Sequence, residues 1–195
     1  MRGARINQLE RPINPSFLSC EKDAESIVRK LFVESKPYSD EIKRLMLINT
    51  KDCLIDRTNP AYLNKIKSMS VAELRRNQYI RLSPKLNLEE NEEVKSYLVI
   101  TFDDFSPNAE NPHYRDCTIE IDILCHTDYW ELEGFAVRPL KIVGLIDGIL
   151  NEARLSGIGT LNFIGCKEIV LGENVSGYCL MYRAIHGVDD FIEGE

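Results

Sequence analysis

The chain has 195 residues, with 24 Lys+Arg against 31 Asp+Glu, a formal net charge of −7, and 44% hydrophobic and 28% charged side chains. This is the balance of one globular domain, or of one domain with a sizeable extension, and it is long enough to bury a core. It argues against sequence-independent nucleic-acid binding, whose affinity comes from Lys and Arg on phosphates.

No apolar run nears the roughly 18–20 residues that span a bilayer, and the opening MRGARINQLERPINP lacks the apolar centre of a signal peptide. A soluble protein made inside the cell is expected. Six cysteines (Cys20, Cys53, Cys117, Cys125, Cys166, Cys179) are spread without CxxC pairing. Reduced, mostly buried thiols follow from that.

Residues 1–18 carry Arg2, Arg5, Arg11 and prolines at 12 and 15, and read as an extended N-terminal arm. A single α+β domain is expected over 19–195, with a helical and loop insertion at about 37–95. Its first helix runs from Ser19, with Ala24, Ile27, Val28, Leu31 and Phe32 at helical spacing, and Ser35-Lys36-Pro37 stops it. A shorter helix begins at Ser39, with Ile42, Leu45 and Met46 on one side. Asn59-Pro60 is an N-cap with proline at the first helical position, ahead of Leu63 and Ile66. Ser70 and Glu73 form a capping box that opens another short helix to about Asn77. NLEENEE at 87–93 reads as a solvated acidic connector.

Ser96 to Phe105 (SYLVITFDDF) is a strand rich in β-formers. A polar loop over 106–115 precedes the cleanest strand, where Cys117, Ile119, Ile121, Ile123 and Cys125 alternate with Thr118, Glu120, Asp122, Leu124 and His126. Period two with one apolar and one largely polar face means a sheet half buried and half open to water or a partner. Thr127 to Pro139 is a loop, followed by an amphipathic helix from Pro139 to Arg154 with a stripe of Ile142, Val143, Ile146, Ile149, Leu150 and Ala153. Gly144 and Gly148 are expected to let this helix pack closely on a sheet, and Gly157 to cap it. Closing strands are expected at about 160–171 and 178–186, with Gly172–Gly177 as the turn. The fold class is therefore α+β: an antiparallel or mixed sheet with one long amphipathic helix packed on it, plus an N-terminal helix and small helical insertions.

Few residues offer chemistry. Cys117 and Cys125 share a face, but eight strand residues put them about 26 Å apart. No Cys or His pair has the two-to-four-residue spacing of a structural zinc site. Glu120 and Asp122 share a face and Asp103 and Asp104 end the preceding strand, which is raw material for a metal-dependent nuclease. The next position on that face, 124, is Leu where a lysine would be wanted. Gly157-Ile-Gly159 follows a helix instead of joining strand to helix, the wrong setting for a phosphate loop. No catalytic residue, metal site or cofactor site is expected.

Two features favour an interaction protein: the polar face of the 117–126 strand, with Glu120 and Asp122, and the loops 106–116 and 127–138. Those loops mix Phe105, His113, Tyr114, Tyr129, Trp130 and Phe135 with charge. Trp130 fits an interface or a core edge equally well, whereas Tyr114 is expected to be exposed. Arg2, Arg5 and Arg11 make the arm a third contact element.

The alternating strand RDCTIEIDILCH, a loop, and then RPLKIVGLIDGILNEARLSGIG resemble the tail-terminator and head–tail joining proteins of long-tailed bacteriophages. The resemblance covers roughly residues 96–188 and the helix at 19–36. It implies a non-enzymatic virion protein, made in the bacterial cytoplasm, that closes into a ring, six-fold or twelve-fold. Such a ring caps the tail tube and meets the head connector, with the tail tube protein and neck proteins as partners, DNA only as passing cargo, and no membrane. Two other readings stay open: a small metal-dependent enzyme using Glu120 and Asp122, and a head-side connector or adaptor ring. A generic cytosolic binding domain is a further one.

Overall fold

A computed structural model of the chain describes residues 16–82, 95–110 and 114–186. Helix α1 (Ser16–Arg29) turns Ala24, Ile27 and Val28 inward and runs into one π-helical turn, Lys30–Glu34, that buries Leu31 and Phe32. It starts at Ser16, so residues 16–18 are helical and not part of an extended arm. A proline restricts the residue before it and leaves the residues after it free to begin a helix. The rest of the arm, with Arg2, Arg5 and Arg11, lies outside the described residues, as does the acidic connector at 87–93.

Helix α2 (Tyr38–Leu47) buries Ile42, Leu45 and Met46 as its spacing predicts. Helix α3 (Pro60–Ser68) opens as expected: the Asn59 side chain accepts the Ala61 N–H at 3.0 Å, with Pro60 at the first position. Helix α4 (Val71–Arg76) has both halves of its capping box. Ser70 Oγ accepts from Glu73 N at 3.2 Å, and Glu73 Oε2 accepts from Ser70 N at 2.8 Å.

The strands are β1 (Ile80–Arg81), β2 (Tyr97–Pro107) and β3 (Arg115–His126), then, after helix α5 (Arg138–Leu150), β4 (Arg154–Leu155), β5 (Gly159–Thr160), β6 (Asn162–Val170) and β7 (Val175–His186). Five of them form one mixed sheet in the order β1-β2-β3-β7-β6, with β1 parallel to β2 and the rest antiparallel. β4 and β5 make a separate small hairpin. The fold is α+β, with α1, α2 and α5 sharing one core with the apolar face of β3. Ile119, Ile121 and Ile123 sit at its centre, as their alternation requires.

Several predicted boundaries move. Helix α5 ends at Leu150, short of Arg154, because the chain beyond it pairs across the hairpin: Glu152 N–H donates to Leu161 O and Leu161 N–H to Ala153 O. Gly157 therefore caps no helix. It turns the β4–β5 hairpin at φ +82°, where a β-carbon would run into the carboxylate of buried Asp23. Gly144 and Gly148 do not pack on the sheet either. They face outward with open space where a β-carbon would be, and Ile142, Ile146 and Leu150 are the buried face. β7 begins at Val175, since pairing with β3 starts at His126, and Gly177 lies inside the strand. Its backbone comes so close to the Ile123 carbonyl that no side chain fits. β2 and β3 extend past the expected loop ends, across a bulge between Asp103 and Ser106.

All six cysteines are thiols, outside any disulfide. Cys53, Cys117, Cys125 and Cys179 are buried, Cys20 is half-buried and Cys166 exposed. Burial pushes the thiols of Cys117 and Cys179 up to about 12 and that of Cys125 to about 11, so they stay protonated near neutrality.

Candidate interaction surfaces

The sheet face away from the helices carries Glu120 and Asp122. Register places Glu120 beside Thr101 and Met181, and Asp122 beside Val99 and Cys179, with Lys167 of β6 next to Cys179. The lysine that position 124 lacks thus arrives from another strand: Lys167 Nζ lies 3.7 Å from Glu120 Oε1. Burial raises the Asp122 carboxyl above its ordinary value, opposed by a hydrogen bond with Cys179 and by the charge of Lys167. Leu124, on the same face, packs with Tyr97 and Val99 in a second small apolar cluster bordered by Ile169 and Val175. This face is apolar at one end and ionic in the middle. Among the described residues no three His, Cys, Asp or Glu side chains come together in a group that could hold a metal ion.

The 127–137 loop is braced from within. His126 Nδ1 accepts the Asp128 N–H at 3.2 Å. Trp130 is half-buried against the main core, with its ring 6.3 Å from that of Tyr178, so it plugs the core edge. Tyr129 is also half-buried, and its carbonyl accepts from Arg138 Nε at 2.7 Å. Tyr114 is half-buried where exposure was expected, because the β2–β3 pairing reaches it: its carbonyl accepts the Asn108 N–H at 3.2 Å. His113 lies outside the described residues.

Sequence reasoning missed Arg138, which is fully buried. Besides Tyr129 O, its guanidinium donates to Leu45 O, to Ile48 O at 2.9 Å and to Thr50 O at 2.7 Å. These carbonyls include the unsatisfied C-terminal end of α2, where the helix dipole favours a cation. Arg44 does a similar task nearby, donating to Arg57 O at 3.2 Å, while Arg57 pairs with Glu41 at 2.6 Å. No local spacing signals either role.

Apolar side chains reach the surface at the sheet edge and beside α1. Strand β6 is the sheet edge opposite β1, and Phe163, Ile164, Val170 and the following Leu171 are 45%, 50%, 70% and 42% exposed. A groove of about 980 Å³ runs between α1 and α4, with Val33, Val71 and Leu82 among its lining. No helix among the described residues is long and apolar enough to cross a membrane.

Together these features define an α+β fold whose five-stranded sheet is covered by helices on one face and whose outer strand keeps apolar side chains at the surface. The chain belongs to the YomW family, whose model matches residues 39–184. That family is phage-derived, and the match takes in α2 to α4 as well as the sheet. No curated protein matches the chain.

Proposed function

We propose that the chain is a structural subunit of a tailed-phage virion, a tail terminator or neck protein that closes into a ring and has no catalytic role. The observation that carries this reading is strand β6. A bulge between Phe163 and Gly165 and the charge of Lys167 interrupt the edge, yet both of its ends present large apolar side chains to solvent. Large apolar side chains left exposed along an edge strand favour a contact with another chain. Phage ancestry of the family supports the setting, and an acidic subunit suits a conduit through which DNA slides without sticking. In this reading the tail tube protein and the head connector meet the two axial faces of the ring.

Native mass by light scattering over a concentration series tests it. Six copies of the 22.4 kDa chain weigh about 134 kDa, and a mass near that value that holds on dilution is the expected result. A twelve-fold mass would assign the protein to the head-side connector instead. A monomer at every concentration would overturn self-assembly.

A second reading, a small metal-dependent nuclease, draws on Lys167 beside Glu120. It requires Mg²⁺-dependent cleavage of DNA that Glu120→Gln abolishes, and no cleavage by the wild-type protein removes it.

A further inference from the structure

We infer that Phe135 of one copy seats in the groove between α1 and α4 of the next, a contact that rests on the assembly reading above and specifies its chemistry. Phe135 is fully exposed, and its φ of +62° follows Gly134 at +74°. A bulky side chain in the left-handed region costs energy, and such strain persists where surrounding structure imposes it, commonly at contact sites. Here the imposition is visible. Leu132 N–H donates to Ala136 O at 2.8 Å, Glu133 N–H to Lys51 O at 3.0 Å, and Glu131 bridges to Val137. A braced loop thus holds an aromatic ring out in water.

The charges of the two surfaces are complementary. Residues 127–137 carry Asp128, Glu131 and Glu133, all exposed, and neither Lys nor Arg. The groove has an apolar floor, and its rim holds Lys22 and Arg75, together with Arg29 in its ion pair with Glu34 at 2.9 Å, against Glu21 and Glu25. A ring inserted among valines with its acidic flanks near these bases buries apolar surface and pairs charge at the rim. Because anchor and groove are different patches of one chain, the contact is heterologous. Repeated head to tail, it closes into a ring when the rotation closes.

Two variants test this without endangering the fold. Phe135→Gly removes the ring and suits the positive φ, so it should fold at least as well as wild type. Ala72→Glu places a charge on the exposed groove side of α4. Each alone should raise the concentration for half-assembly about 30-fold or more, as loss of an interface anchor does. An equimolar mixture should form a pair of about 45 kDa, twice 22.4 kDa, and nothing larger, since each pair retains one intact junction. If Phe135→Gly assembles like wild type, the anchor is wrong while the ring reading stands. If both variants are arrested and the mixture gives no pair, the groove is not the receptor. A wild-type protein that never assembles overturns both readings.

Discussion

A buried guanidinium surrounded by carbonyls fastens two segments that local sequence cannot connect. Arg138 joins the end of α2 to the 127–137 loop through four backbone oxygens. Arg138→Met keeps the packing volume but leaves those acceptors dry. It should cost about 3–5 kcal/mol in urea unfolding, within the range for breaking a buried charged network. A loss below about 1 kcal/mol would show that water replaces the guanidinium. Asp122 acts in the opposite direction. With its carboxyl raised by burial, the folded chain holds that proton more tightly than the unfolded chain does. Stability linked to it is full below the ordinary value of 3.8 and is lost as pH rises through the raised one. Asp122→Asn should therefore raise the melting temperature at pH 7 and lose that advantage below pH 3.8, which thermal unfolding across pH would check.

Among the elements, α5 makes the most direct case. Its two glycines face open space, so Gly144→Ala and Gly148→Ala should each stabilise the fold by up to about 1 kcal/mol through helix propensity alone. Chemical denaturation measures this, and a destabilisation would mean that the outer face of α5 is packed. The same helix marks where the sequence stops being legible. Its apolar stripe is readable because it repeats within one element, and so are the alternation of β3, the Asn59-Pro60 start and the Ser70–Glu73 box. Its end is not, because the hydrogen bonds from Glu152 to Leu161 and from Leu161 to Ala153 override local propensity. The candidate surfaces divide the same way. Glu120 and Asp122 are visible by period two, whereas Lys167 enters from a strand whose register only the folded sheet sets. Phe135 is visible as an aromatic in a polar loop, but its full exposure at positive φ is a property of the braced backbone.

For the molecule as a whole, the Arg138 clamp has a consequence in time. Its bonds to Leu45, Ile48 and Thr50 span 93, 90 and 88 residues of chain. A ribosome adding about 5–20 residues per second needs roughly 5–18 seconds to travel that distance. Throughout that interval the nascent α2 has been made while the arginine that closes its C-terminal end has not. The N-terminal helices therefore wait, unlatched, until synthesis is past two-thirds of the chain, and any partner that stabilises them in the meantime acts as a folding aid.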